Sequence, residues 1–371
     1  MERAGQFVQK TLLAWLVVFS AAALFWSDMG IGDPFLWTAD LTIESIDSVK
    51  LTGTSRPLLG MMTQVTMFCI GCLISVAEII EVFKRWPLVL GGTFIQYTSM
   101  PLLAWGLGNL FGLEREYLIG VIVVGCVPGA MASNVLTLAA RGNVSFSVSL
   151  TTSATILSPI IVPLAFQLTL SKFVEIDPLV EATKLLKQVV GPVVVGHLLC
   201  RFWKNGSSIA QKIAPLIANG TIVWLIAVVV ALNRDRLLGV FGGEMASSSK
   251  LLLVLLLINL LGYSAGYFGG GKLKLKQSMR RALTLEVGMQ NALLGTVLVL
   301  GLFKDQPAVA IPTAVYTFGC MLTGTLLAQW WGHHPPSDEN HPESPEQDNQ
   351  RDGAATIESE NSDNDETGSK D

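Results

Sequence analysis

Long apolar runs separated by short charged clusters dominate the chain. Charge-free stretches occupy residues 11–27, 57–77, 86–113, 117–140, 142–171, 188–200, 213–233, 251–271 and 306–337, and 282–303 carries one charge, Glu286. A bilayer core takes about 20 mostly apolar residues per helix, so these runs read as ten membrane spans. The run 188–200 is short and reaches spanning length if Lys184 and Lys187 snorkel to the interface. Because the runs are continuously apolar rather than alternating, strand-type spans do not fit. The expected fold class is an all-α polytopic membrane protein.

Two of the ten runs do not read as plain helices. Within 117–140, Gly125-Cys126-Val127-Pro128-Gly129 leads into Ser133-Asn134, and within 282–303, Glu286-Val287-Gly288-Met289-Gln290-Asn291 gathers an acid and two amides. Proline and glycine interrupt helices, and backbone freed at membrane depth must be buried in protein or line a cavity. A packing kink accounts for Pro128-Gly129. It does not account for an ionisable group and three carboxamides at the same two places, since each is costly in hydrocarbon. The interrupted spans are the fourth of each half, with repeat one at about 10–173 and repeat two at about 184–331. Five spans per half make the halves opposite in orientation, and matched interruptions in inverted repeats point to a transport site.

Composition changes the picture at the C-terminus. Half of the 371 residues are apolar and 15% are charged, yet residues 333–371 are rich in Asp, Glu, Ser, Asn and Pro. That segment holds twelve of the 29 acidic residues, so the net charge of −4 belongs to it. It reads as a disordered acidic cytoplasmic tail following a membrane domain, 1–332, and as dispensable for transport. With the N-terminus inside, thirteen of the 25 Lys and Arg residues fall in inner segments and ten in outer ones, most densely at 272–281. This bias puts both termini in the cytoplasm. No transit peptide is evident, so a bacterial inner membrane is the expected location. Arg3, Lys10 and Ala21-Ala22-Ala23 have the layout of a signal peptide, but Leu24-Phe25-Trp26 continue the apolar run. Cys69-x-x-Cys72 has redox spacing without a thioredoxin-like context, and His333, His334 and His341 lie in the tail.

The polar groups suit a hard cation. Sodium takes carboxylate, carboxamide, hydroxyl and backbone carbonyl oxygens, and a broken helix exposes such carbonyls while its resumed N-terminus favours an anion. Glu286 is the one carboxylate in the middle of any run, with no Lys or Arg at matching depth. A metal ion is its natural partner; a protonated Glu286, held by a hydrogen bond or relaying protons, is the other reading. Ser147 and Thr151 share a helix face at i, i+4.

The run from Pro128 to Val148, together with Glu286-Val287-Gly288-Met289-Gln290-Asn291-Ala292-Leu293-Leu294-Gly295, resembles the bile acid:sodium symporter family, with the likeness extending over residues 10–330. The resemblance implies a panel of spans 1, 2, 6 and 7, and a core of the other six in which broken spans 4 and 9 cross. It implies two sodium sites: one among Ser133, Asn134, Ser147, Thr151 and Glu286, the other among Glu286, the carbonyls of Val287 and Met289, Gln290, and Gln96 in the Gly92–Pro101 stretch. Asn291 and the residues before Ser133, Met131 among them, would face the substrate. Met131 stands where many members carry threonine, which points to an anion other than the bile-acid type. The function implied is sodium-coupled symport of an organic anion: bile-acid-like, a steroid conjugate or a small carboxylate. A proton-coupled or arsenite-type carrier is the neighbouring alternative. An intramembrane enzyme would need a partner for Glu286, and only His197 lies at membrane depth; a receptor would need an effector domain that the tail lacks.

Overall fold

A computed structural model describes residues 12–26, 57–73, 80, 83–171, 177–202, 204–232, 234, 245–303 and 306–338. Helices account for nearly all of them: α1 (Leu12–Phe25), α2 (Pro57–Leu73), α3 (Trp86–Leu110), α4 (Arg115–Cys126), α5 (Ala132–Ala139), α6 (Val144–Leu170), α7 (Pro178–Leu185), α8 (Gly191–Phe202), α9 (Lys204–Leu232), α10 (Met245–Lys272), α11 (Gln277–Gly288), α12 (Ala292–Leu302) and α13 (Ile311–Gly332). No strand occurs among the described residues, and their one extended pairing is an isolated antiparallel bridge between Gly129 and Gln290. Most of the expected tail lies outside the described residues.

Four described helices are long and apolar enough to cross a membrane: Val144–Leu170, Ala182–Phe202, Ser249–Lys272 and Ala308–Gly332, with mean hydropathies of 1.6, 1.3, 2.0 and 1.4. The short run 188–200 acquires its length backwards. A π-turn, Leu186–Val190, joins α7 to α8 without a stop, and Asp177 caps the start by accepting from Leu179 N–H at 2.9 Å. The interrupted runs 117–140 and 282–303 are each split into two helices too short to span singly, α4 with α5 and α11 with α12.

Large apolar side chains face outward as well as filling the core. Phe94, Leu110, Leu168 and Phe268 face outward at 71, 77, 85 and 66% exposure, while Gln96, Ser133, Ser147, Glu286 and Gln290 are buried. An apolar outer surface with the polar groups turned inward is the arrangement that hydrocarbon demands. The helices pack in two groups. Helix α9 packs on α1 and α2, and α8 on α2; the second group joins α3 to α4, α10 to α3 and α11, and α13 to α4, α5 and α12. Cys69 and Cys72 sit in the first group against Ala214 and Ala218, as small apolar side chains.

Candidate functional site

Two helices stop partway. Helix α4 ends because Val127 turns extended (φ −76°, ψ 157°) and the next residue, Pro128, has no amide hydrogen. Helix α11 ends where Met289 turns extended (φ −109°, ψ 93°). The two extended links pass each other antiparallel. Ala130 N–H donates to the Met289 carbonyl and Asn291 N–H to the Pro128 carbonyl, both at 2.7 Å. Each break thereby satisfies part of the other's freed backbone. The chain then resumes helically, α5 from Met131 and α12 from Asn291, whose side chain accepts from Leu294 N–H at 3.1 Å.

Glu286, in the last turn of α11, is fully buried at this crossing. Its Oε2 accepts from the Ser133 hydroxyl at 2.5 Å and the Thr151 hydroxyl at 2.8 Å. Its Oε1 is buried and has no hydrogen-bond partner. A side chain at position 129 would collide with that oxygen, its Cβ lying 2.7 Å from Glu286 Cδ. Glycine is therefore needed there for close approach, independently of any backbone strain.

The oxygens around the carboxylate come from two helices, α5 and α6. Thr151 Oγ1 also lies 3.4 Å from Asn134 Oδ1 and 3.1 Å from the Ser147 carbonyl, and the Ser147 hydroxyl pairs with that of Thr137 at 3.2 Å. Ser133, Asn134, Ser147, Thr151 and Glu286 thus meet as one cluster. A second patch adjoins it: Gln96 Nε2 approaches Gln290 Oε1 at 3.5 Å, the outer limit of a hydrogen bond. Gln290 Nε2 in turn donates to the Val287 carbonyl at 2.7 Å. The Met289 carbonyl is engaged by Ala130 N–H, and Met131 and Asn291 lie partly exposed at the starts of α5 and α12. Thr137 and the groups that grip Gly288 escaped the sequence reading. Asn259, a lone amide in the apolar run 251–271, was the available signal.

Chemically the cluster is a set of hard oxygens around one carboxylate. Among the described residues no group of three His, Cys, Asp or Glu side chains comes together, so the donors suit a hard cation rather than zinc or iron. Burying an ionised carboxylate costs several kcal/mol without a counter-charge. No cationic side chain touches Glu286 among the described residues.

The chain resembles known proteins over most of its length. The model of the sodium bile acid symporter family matches residues 58–240. Over 332 residues the chain is 31% identical to an uncharacterized sodium-dependent transporter of Bacillus subtilis, spanning 89% of this chain and 94% of that protein. A probable chloroplastic sodium/metabolite cotransporter of Arabidopsis thaliana is 30% identical over 272 residues, 73% of this chain and 66% of the relative. Its counterpart in Oryza sativa is 28% identical over 305 residues, 82% and 69% of the two chains.

Proposed function

Because the chain belongs to the sodium bile acid symporter family, and so is a sodium-dependent membrane transporter and not an enzyme, we propose that it carries an organic anion in symport with sodium by alternating access. One observation carries the reading: the buried Glu286 Oε1 has no partner, while Oε2 holds two hydroxyl donors. A sodium ion supplies the missing positive charge. Its ligands would be Ser133, Asn134, Ser147, Thr151 and Glu286 at one site, and Gln96, Glu286, Gln290 and the carbonyls of Val287 and Met289 at a second. The proton-coupled alternative fares worse on the same atom. A proton would have to sit on Oε2 and be donated to the Ser133 or Thr151 hydroxyl oxygen, which still leaves the buried Oε1 without a partner.

The anion would sit by Asn291 and Met131, where α5 and α12 begin and helix dipoles favour negative charge. Met131 puts an apolar thioether beside the anion, a departure that points to an anion other than the bile-acid type, such as a steroid conjugate or a small carboxylate.

Ten spans in two inverted repeats remain the reading of the architecture, with 1–332 as the transporter domain and 333–371 as its cytoplasmic tail, in the cell membrane with both termini inside. The two packing groups support a panel of α1, α2, the continuous α7–α8 span and α9 against a core of the rest. A recurring hydroxyl pair supports the repeat. Thr137 of α5 meets Ser147 of α6 at 3.2 Å, and Thr296 of α12 meets Thr313 of α13 at 2.8 Å. In both, the residue four further on bonds back to the pair's carbonyl, Thr151 to Ser147 and Thr317 to Thr313.

Uptake by purified protein in proteoliposomes tests the function. An inward sodium gradient should drive accumulation of a labelled organic anion from a panel of steroid conjugates and carboxylates, and a potassium gradient should not. Accumulation driven by a proton gradient and indifferent to sodium would replace the reading with the proton-coupled carrier.

A further inference from the structure

The backbone carbonyls around the two breaks are not equivalent. Those of Pro128, Val287 and Met289 accept from Asn291 N–H, Gln290 Nε2 and Ala130 N–H respectively, all partners within the crossing itself. The Gly288 carbonyl is taken from outside. Asn259 Nδ2 of α10 and the Tyr316 hydroxyl of α13 both donate to it, each at 2.8 Å. A carbonyl oxygen has two lone pairs, so these two side chains saturate it and withdraw it from any ligand set.

The grip is itself built. Asn259 is 2% exposed and Tyr316 is 1% exposed, in a region where an idle amide or hydroxyl is costly. The Thr323 hydroxyl donates to Asn259 Oδ1 at 2.7 Å, which orients the amide so that Nδ2 faces Gly288. The Tyr263 ring, one turn beyond Asn259, packs directly on Gly288, where an added Cβ would collide with it. Three side chains from two neighbouring helices therefore converge on the peptide between Glu286 and Gln290.

We propose that Asn259 and Tyr316 are positioning residues of the cation site, which fix the direction of the Gly288 carbonyl and thereby aim the Glu286 carboxylate and the flanking Val287 and Met289 carbonyls. The proposal rests on the sodium reading above. The two donors act through one atom and share its load. Losing one leaves the carbonyl held by the other, and losing both frees it to swing towards the crossing, so the effects exceed additivity.

The test measures sodium affinity, by calorimetry and by sodium-dependent uptake, on wild type, Tyr316→Phe, Asn259→Ala and the double variant. The sodium-free melting temperature is followed alongside. Each single variant should raise the half-saturating sodium concentration about five-fold, the scale of one hydrogen bond. The double variant should raise it by more than the product of the two. Tyr316→Phe keeps the ring, so its sodium-free melting temperature should stay near wild type. If the variants lower the melting temperature but bind sodium as wild type does, Asn259 and Tyr316 are packing groups and the proposal fails. If effects on affinity simply multiply, the shared-atom account fails. Should wild type itself bind no sodium, the functional reading falls first, and that outcome is distinct from both.

Discussion

At the scale of single residues, Gly129 and Glu286 are a matched pair. The carboxylate reaches the crossing only because position 129 carries no side chain. Gly129→Ala forces either the Glu286 side chain or the bridged backbone to move, a strain of about 1–3 kcal/mol. Sodium affinity should fall at least about ten-fold, the equivalent of some 1.4 kcal/mol. The check is stabilisation by sodium in a thermal-shift titration, and a wild-type titration curve would show that the close approach has no bearing on the cation. Glu286, Ser133 and Asn134 were legible in the sequence because an acid or amide beside a helix break in hydrocarbon demands a reason, whereas Thr151, in a run of hydroxyls that reads as helix glue, was picked out only by the family resemblance. Gly129 was legible only as a helix breaker, since nothing along the chain reveals that a carboxylate from 157 positions away comes to lie against it.

At the scale of elements, α11 is anchored from a distance. Its N-cap position, Lys276, gives no side-chain cap. Asp338 does so instead, accepting from Ser278 N–H at 3.1 Å and the Ser278 hydroxyl at 2.5 Å. One turn on, the buried Arg281 donates to the carbonyls of Ala140, Trp331 and His334, tying the ends of α5 and α13 to the helix that carries Glu286. The root of the expected tail is therefore part of the body, and the dispensable part should start after Asp338 instead of after Gly332. Truncation after Asp338 should melt as the full chain does. Asp338→Ala should cost about 0.5–1 kcal/mol, the low end for a helix cap on a partly exposed group, and truncation after Gly332, which also takes the His334 carbonyl from Arg281, should cost more. Burial pushes the Asp338 carboxyl up, but the Ser278 hydroxyl and amide outweigh it and hold the group below the usual carboxylate range. A depressed pKa stabilises the fold above the ordinary value and loses that contribution as pH falls through the folded one. The Asp338→Ala penalty should thus be equal at pH 7 and pH 5, and fade below about pH 4. Equal melting of both truncations would contradict the anchor. Composition alone put the tail boundary at 333, because the capping partner lies 60 positions away.

At the scale of the whole molecule, the pattern of charge-free runs foretold helices throughout, since hydrocarbon permits few other backbones. The two interruptions stood out for the same reason. Their mutual antiparallel bridge, the hold of Asn259 and Tyr316 on Gly288, and the division into two packing groups depend on which helices become neighbours, and the period of apolar residues carries no such information. On the proposed reading, Glu286 is the carboxylate that makes the crossing a sodium site. Sodium binding by calorimetry to purified wild type and Glu286→Gln tests it most directly. Glutamine keeps the size and one oxygen but removes the charge that offsets the cation's desolvation. Wild type should bind sodium saturably, with no comparable signal from potassium, and Glu286→Gln should lose detectable binding while remaining folded. Wild-type sodium affinity in the glutamine variant would contradict the claim.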